Sequence, residues 1–267
     1  MAKGIDVSHH QGVINWQKVK YAGVDFAIIK AGGSDKGTYT DECFESNYHG
    51  AKSVGIHVGS YYYVGRNCTS KADGVADAKR FAKIIDGKQF EYPVYIDLEA
   101  TSPADRAGAT DACIGFCEYM ESNGYYCGIY ASDISGFVDR LELKRLSEFD
   151  KWVARYGSQP KMVTAYGIWQ HSETGRITGI SGNVDLDECY VNYPALMVSG
   201  GLNGFPKPKP LYDPEMKPGD IDFGRVPYIH GMNAGHVQTY IKWVTCLGAG
   251  EYQDTREDFL RYLSENA

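Results

Sequence analysis

The chain has 267 residues, a formal net charge of −7 and no run of lysine or arginine. This length allows one large α/β domain, or a medium-sized domain with a smaller one, and either would bury a substantial core. Without a run of basic residues, the chain has no concentrated positive charge that could bind the phosphate backbone of a nucleic acid, so we expect no nucleic-acid partner.

The amino-terminal segment lacks the features of an export signal. Residues 1–20 carry polar side chains throughout, without the continuous apolar stretch that a signal peptide needs. No other apolar run reaches the length required to span a bilayer, so we expect no membrane insertion. The sequence therefore predicts synthesis in a cytoplasm without a signal peptide.

Short strand-like segments alternate with helix-like segments along the first half of the chain. The five predicted strands are residues 4–8, 24–31, 56–64, 93–98 and 126–131. The four amphipathic segments between them are residues 16–21, 41–53, 70–85 and 110–122. This alternation is typical of βαβ units, and hence of a parallel sheet.

The alternation of strands and helices changes after residue 131. Three more strands are predicted at residues 151–156, 165–170 and 183–186, with little helix between the last two. Eight strands of this kind predict an α/β fold, an irregular TIM-like (β/α)5(β)3 barrel. We assign residues 1–198 to this barrel.

The composition shifts after the predicted barrel. Residues 199–227 hold six of the ten prolines and predict an extended, Pro/Gly-rich linker. Residues 228–267 show apolar positions at helical spacing and predict a small, mainly helical accessory segment. About 40 residues rarely hold a stable core alone, so we expect this segment to bind the wall or to form a homo-oligomer.

Cysteine spacing gives no sign of a metal or redox site. The seven cysteines are an odd number, spread over the chain without a Cys-x-x-Cys pair, which is typical of free structural thiols. Cys113 and Cys117 would lie one turn apart on a helix, but two ligands do not make a closed zinc site. We therefore expect neither a metal nor a cofactor.

The segment YPVYIDLEA at residues 92–100 is an apolar strand that ends in two acids. Because side chains alternate along a strand, Asp97 and Glu99 point to the same face. Active sites of barrel enzymes lie at this carboxyl end of the strands. A neighbouring negative charge and partial burial would raise the pKa of Glu99 and keep it protonated for donation to a sugar oxygen.

Two further acids lie on the first and last predicted strands. Asp6 and Asp185 become neighbours when a barrel closes, so closure would bring four acids to one mouth. Asp187 faces the same side as Asp185 and is a rival for its role. The pattern alone also allows a structural interpretation, in which strand-end acids merely cap the following helices.

Several short motifs occur along the chain in a characteristic order. They are IDVS at 5–8, QG at 11–12, Trp16, FAIIKA at 26–31, GSY at 59–61, YIDLE at 95–99, GIY at 128–130, WVA at 152–154, IWQ at 168–170 and VDL at 184–186. Taken together, they resemble the glycoside hydrolase family 25 lysozymes over about residues 3–195. The sequence departs from that pattern at 31–34, AGGS, where an acid is common, and at Asp187, where the family usually has Asn.

The resemblance implies a muramidase that cleaves the β-1,4 bond between N-acetylmuramic acid and N-acetylglucosamine in bacterial peptidoglycan. It implies four active-site acids with Glu99 as the general acid, namely Asp6, Asp97, Glu99 and Asp185. The candidate sugar-binding aromatics are Tyr61, Tyr63, Tyr130 and Trp169. Large rings also fill cores, so packing is the structural alternative for these side chains.

The resemblance leaves the second chemical step open between attack by Asp97 and participation of the acetamido group of the substrate, oriented by Asp97. We favour the acetamido group. The rival functions are a catalytically inactive barrel that binds wall glycan and a hydrolase of another acetamido glycan such as chitin. Without a signal peptide, a phage or prophage endolysin released to the wall by another factor is the expected setting.

Overall fold

Eight strands close into a barrel in the computed structural model, which describes residues 1–207. In chain order, the strands are β1 (Ala2–Val7), β2 (Phe26–Gly33), β3 (Tyr39–Thr40), β4 (His57–Tyr63), β5 (Val94–Asp97), β6 (Cys127–Ser132), β7 (Asp150–Ala154), β8 (Ile168–Gly175) and β9 (Val184–Cys189). The two-residue β3 pairs with the end of β2, and the other eight strands form the barrel.

The barrel is parallel except at its closing strand. Neighbouring strands run parallel from β1 through β2, β4, β5, β6 and β7 to β8. Strand β9 pairs antiparallel with both β8 and β1 and so completes the ring. This arrangement confirms the predicted TIM-like α/β barrel of eight strands.

Helices cover the outside of the barrel. They are α1 (Trp16–Tyr21), α2 (Phe44–Ser53), α3 (Lys71–Ile85) and α4 (Arg106–Ser122), whereas α5 (Tyr193–Gly200) places Tyr193 and Met197 among the side chains that fill the barrel interior. The first four correspond to the predicted amphipathic segments, although α4 begins four residues earlier than expected. A fifth α-helix is absent between β6 and β7, where turns and the short 3-10 helix Leu143–Leu146 take its place. Ser135 and Gly136 have low helix propensity in this segment.

Helices α3 and α4 pack unusually closely, which fixes the loop that precedes α3. A Cβ atom at Gly74 would lie 2.0 Å from the backbone oxygen of Ala112, so only glycine allows this approach. Phe81 and Phe116 stack between the helices with ring centroids 5.9 Å apart. The hydroxyl of Ser70 accepts a hydrogen bond from the Asp73 backbone and caps α3.

Aromatic rings fill the interior of the barrel below its mouth. Tyr95 and Trp152 are fully buried, with ring centroids 5.4 Å apart. Glycines on neighbouring strands leave the space for them, because a Cβ at Gly128 would lie 2.6 Å from the Tyr95 ring. The hydroxyl of Tyr95 donates to Asp150 at 3.1 Å. The interior is therefore a packed floor rather than a pore, and the polar groups above it face an opening at one end.

Residues 1–197 and 201–205 form one compact unit. No helix among the described residues is long and apolar enough to cross a membrane. The predicted linker starts at residue 199, but α5 continues to Gly200, and residues 201–205 belong to the compact unit, with Asn203 fully buried. The rest of the predicted linker, from residue 208, and the predicted accessory segment at 228–267 lie outside the described residues. Their organisation stays a prediction.

Candidate active site

A polar cleft of about 460 Å³ opens at the carboxyl ends of the parallel strands. It is lined by Asp6, His9, His10, Lys30, Asp35, Lys36, Tyr39, Tyr61, Tyr63, Asp97, Glu99, Tyr130, Trp152, Tyr156, Gln170, Glu173 and Asp185. All four acids singled out from the sequence are in this set. Closure of the barrel by β9 thus brings residues from the two ends of the sheet to one opening.

Asp97 is the last residue of β5 and lies inside the cleft wall. It pairs with Tyr63 of β4 on one side and with Tyr130 of β6 on the other. Its side chain is 4% exposed, and its Oδ1 atom has no hydrogen-bond partner among residues 1–207. Burial, followed by the negative charge of Glu99, raises the pKa of Asp97 well above its usual value.

Glu99 follows two residues later and reaches solvent at the cleft mouth. Removal from bulk water between the cleft walls raises its pKa, while the positive charges of Lys30 and Arg140 oppose this shift. The sequence predicts a raised pKa for Glu99 from crowding first and burial second. In the structure the loss of water is the main cause, and the repulsion between the two acids instead raises the pKa of the more deeply buried Asp97.

Strand pairing separates the roles of Asp185 and Asp187. Asp185 lies directly across from Asp6 on the antiparallel β1–β9 pair and lines the cleft. Asp187 lies opposite Gly4, one step deeper, where it is 1% exposed and accepts a hydrogen bond from Trp152 Nε1 at 2.8 Å. Both side chains face inward, as the alternation requires, but only Asp185 is at the level of the cleft.

Asp6 has the strongest clustering of negative charge around it. Burial, together with the carboxylates of Asp187, Asp185 and Asp97, raises its pKa well above the usual value. Gln170 opposes this shift by donating from Nε2 to Asp6 Oδ2 at 2.8 Å. A group of carboxylates this close shares protons, so one or more of them stays neutral near neutral pH.

Gln170 links the acids to two tyrosines. Its Oε1 atom accepts hydrogen bonds from the hydroxyl of Tyr130 at 2.9 Å and of Tyr156 at 3.2 Å. Because its amide also donates to Asp6, the orientation of this side chain is fixed on both sides. The sequence offered no local signal for this role, since glutamine carries no charge and follows an ordinary apolar strand pattern.

Lys30 is a positive charge within an acidic cleft. It lies on β2, is 8% exposed, and its Nζ atom is 4.6 Å from the Tyr63 ring centroid and 5.9 Å from that of Tyr61. Its charge lowers the pKa of both Asp97 and Glu99. Sequence analysis used Lys30 only as part of a family motif and missed this electrostatic role.

Three of the four predicted aromatics line the cleft, and the fourth does not. Tyr61, Tyr63 and Tyr130 are in the cleft wall. Trp169 lies outside the cleft lining, half-buried, with its indole donating to the backbone oxygen of Arg155 at 2.7 Å. Because Gln170 points into the barrel, its neighbour on β8 points to the opposite face. Trp169 is therefore not among the side chains that line the cleft, where the sequence analysis expected it. Trp152 and Tyr156 do line the cleft, and the sequence analysis missed them.

The acids suit proton transfer to and from a sugar. Glycosidases use a pair of carboxyl groups at the cleaved bond, one of which has a raised pKa and donates the proton. Glu99 and Asp97 form such a pair. Among residues 1–207, no group of three or more His, Cys, Asp and Glu side chains is arranged to hold a metal ion. The sugar-sized cleft with aromatic walls provides for binding as well as for acid–base chemistry.

Comparison with known proteins assigns the family. The sequence profile described as "Glycosyl hydrolases family 25" matches residues 5–180. The chain belongs to glycosyl hydrolase family 25. The matched region covers the barrel from β1 to the segment before β9.

Named relatives support the assignment. The chain is 32% identical over 193 residues to the autolytic lysozyme of Clostridium acetobutylicum, which covers 70% of this chain and 55% of that protein. It is 33% identical over 211 residues to lysozyme M1 of Streptomyces globisporus, with 70% and 67% covered. The crystal structure of the CTP1L endolysin superposes with a TM-score of 0.65 at 27% identity, covering 74% of this chain and 69% of that one. The chain thus spans about half the length of the clostridial relative.

Proposed function

We propose that this family 25 enzyme is a muramidase that cleaves the β-1,4 bond between N-acetylmuramic acid and N-acetylglucosamine of peptidoglycan. The observation that carries the proposal is the pair formed by Glu99 and Asp97 at the cleft. Glu99 has a raised pKa and is open to solvent, as a proton donor to a substrate requires. The likeness to two proteins named as lysozymes supports the same substrate class.

Glu99 acts first as the general acid. It donates its proton to the glycosidic oxygen while the bond from that oxygen to the anomeric carbon breaks. The carbonyl oxygen of the 2-acetamido group attacks the anomeric carbon and forms a cyclic oxazolinium intermediate. Glu99, now a carboxylate, takes a proton from the water that opens this ring, and the product retains its configuration.

Asp97 orients the acetamido group in this scheme. Asp97 lines the cleft, so its carboxylate can accept the substrate N–H. Burial raises the pKa of Asp97 and so favours its neutral form. A hydrogen bond from the substrate N–H and the positive charge that develops on the sugar ring both favour the ionised form. Direct attack by Asp97 is the alternative mechanism, and it requires the same ionised Asp97 but no acetamido group.

Asp6 and Asp185 shape the opposite wall of the cleft. Asp185 is half-buried and lines the cleft, where it can accept hydrogen bonds from sugar hydroxyls. Asp6 holds Gln170 in place from the barrel interior. Tyr63 is half-buried and can offer its ring face and hydroxyl to the glycan, which is the amphipathic contact that sugars need, whereas Tyr61 and Tyr130 are largely buried parts of the cleft wall.

A comparison of Glu99→Gln with the wild type tests the proposal. Purified peptidoglycan is incubated with each protein, and new reducing ends are measured. We expect the variant to lose at least about a hundredfold in rate, since general acid catalysis contributes on this order. Glu118→Gln, the same substitution on the exposed face of α4 in an ion pair with Lys71, is the matched control and should keep full activity.

The remaining outcomes separate the rival functions. Release of reducing ends by neither the wild type nor the variants would support an inactive glycan-binding barrel. Activity on chitin oligomers but not on peptidoglycan would support a hydrolase of another acetamido glycan. Full activity on a substrate whose acetamido group is replaced by hydroxyl would exclude acetamido participation and favour attack by Asp97.

We also propose an endolysin setting, in which the protein is made in the cytoplasm and reaches the wall after another factor permeabilises the membrane. Its likeness to the CTP1L endolysin supports this. Expression in a bacterium with and without a pore-forming protein tests it, because lysis should require the pore. Lysis without the pore would contradict it.

Self-association through residues 228–267 stays a prediction, as does wall binding by that segment. Sedimentation equilibrium of the full chain distinguishes a monomer of 29.6 kDa from a larger particle. A monomer at all concentrations would exclude the homo-oligomer.

A further inference from the structure

A second polar pocket lies beside the active-site cleft at the same end of the barrel. We call it the side pocket; it has a volume of about 220 Å³. It is lined by Ser34, Asp35, Gly65, Arg66, Asn67, Cys68, Asp73, Ala76, Asp77 and Arg80. These residues come from the ends of β2 and β4 and from one face of α3, none of which the reaction itself requires.

The side pocket and the cleft share a wall. Asp35 lines both of them, and its carboxylate accepts a hydrogen bond from the hydroxyl of Tyr39 at 2.9 Å. A chain that starts in the cleft can therefore pass Asp35 and enter the side pocket without leaving the surface of the barrel.

The side pocket is preformed by short backbone contacts. Gly65 donates its backbone N–H to the Ser34 hydroxyl at 3.0 Å, and a Cβ at Gly65 would lie 2.8 Å from the Ser34 backbone oxygen. The Ser34 hydroxyl in turn donates to Asp77 at 2.9 Å. Asp73 accepts from the hydroxyl of Ser70 at 2.6 Å. The two loops and α3 are thereby joined before any ligand arrives.

Charges of both signs face the side pocket. Asp77 is 4% exposed and pairs with Arg80 at 2.8 Å. Arg66 is exposed and forms no ion pair among the described residues, so its guanidinium is available to a carboxylate. Asp35 and Asp73 offer carboxylate oxygens to an ammonium group. Three carboxylates disfavour a phosphate or another simple anion, and two arginines disfavour a simple cation.

We propose that the side pocket binds a diamino-dicarboxylic acid unit of the stem peptide that N-acetylmuramic acid carries, in peptidoglycan that contains such a unit. When it is not cross-linked, the end of its side chain keeps a free ammonium group and a free carboxylate. Arg66 binds the carboxylate of this unit, and Asp35 and Asp73 bind its ammonium group. The proposal rests on the proposed muramidase function, because the sugar in the cleft is what brings the peptide to the side pocket. Three extended residues reach at most about 10 Å, which suits an adjoining pocket.

Two substrates and one arginine test the proposal. The first substrate is intact peptidoglycan, and the second is the same glycan after an amidase has removed its peptides. Arg66→Gln should lower kcat/KM on intact peptidoglycan about five- to tenfold, the effect of losing one charge-assisted contact. It should leave the rate on the peptide-free glycan unchanged. Arg66→Lys keeps the charge and should recover part of the loss.

Arg145→Gln is the matched control, since Arg145 is exposed on a surface away from both pockets and should affect neither substrate. Equal rates of wild type and Arg66→Gln on both substrates would overturn the side-pocket proposal and leave the muramidase function intact. An equal loss on both substrates would overturn it too, because the arginine would then act through the cleft. Inactivity of the wild type on both substrates would refute the proposed function instead.

Discussion

Replacing Gln170 by leucine tests whether this side chain organises the acids of the cleft. Gln170 is 2% exposed and makes three side-chain hydrogen bonds, to Asp6, Tyr130 and Tyr156. Leucine has a similar size but neither donates nor accepts. The substitution therefore leaves the buried carboxyl of Asp6 without its amide donor and the Tyr130 hydroxyl without its acceptor.

The loss of stability depends on which of the three broken hydrogen bonds water can replace. A buried group that loses its partner costs about 1–3 kcal/mol, and two such groups are affected here. Tyr156 is exposed, so water can replace its bond, and its share is below about 0.5 kcal/mol. With a small gain from burying leucine, we expect the free energy of unfolding to fall by about 3 kcal/mol. The pKa of Asp6 should also rise further, since Gln170 lowers it.

Urea unfolding followed by tryptophan fluorescence measures this change. We expect a lower midpoint at an unchanged slope, because the surface exposed on unfolding stays the same. Tyr156→Phe is the control and should shift the midpoint little. A double-mutant cycle between Gln170→Leu and Tyr130→Phe should give a coupling of about 1 kcal/mol. A loss below about 1 kcal/mol for Gln170→Leu, or zero coupling in the cycle, would refute the reasoning.

Two charge substitutions give pH-dependent predictions. In Lys30→Met, loss of the cation should raise the pKa of both Asp97 and Glu99, so both limbs of the pH profile of kcat/KM should move to higher pH. A move to lower pH would contradict this. Burial raises the pKa of Asp187 to about 8, so its proton favours folding fully below about pH 4, and this contribution is lost as the pH rises through about 8. Asp187→Asn keeps an acceptor for Trp152 and cannot ionise. Its stability relative to the wild type should therefore rise between pH 4.5 and pH 8 in urea unfolding, by up to about 4 kcal/mol. No rise would exclude a protonated Asp187.

The convergence of the acids could be predicted because it follows from two simple periodicities. Alternation along a strand places Asp97 and Glu99 on one face, and closure of eight strands makes the first and last neighbours. The pairing of Asp6 with Asp185 is the structural form of that inference. Such arguments need only the strand order, which the sequence motifs indicate well.

The depth of a side chain in the barrel, and the strand face to which it points, could not be predicted in the same way. The face to which Trp169 points depends on where β8 begins and on how its register slips beyond Gln170, where the pairing with β9 is irregular. The deeper position of Asp187 depends on its pairing opposite Gly4. The role of Lys30 depends on contacts with tyrosines far along the chain, which no local pattern encodes.

Because β9 runs antiparallel to β8, the rim of the barrel mouth between these two strands can vary without changes elsewhere in the barrel. The chain crosses the mouth between β8 and β9 in a single hairpin, residues 176–183, whereas parallel neighbours are joined by long crossovers around the outside. The backbone N–H of Asn15 donates to the carbonyl of Gly179, near the middle of this hairpin, at 2.9 Å. Grafting a longer hairpin would raise the rim beside Asp185 without rethreading any helix. Glycan length preference is therefore a property that engineering could retune at this one loop.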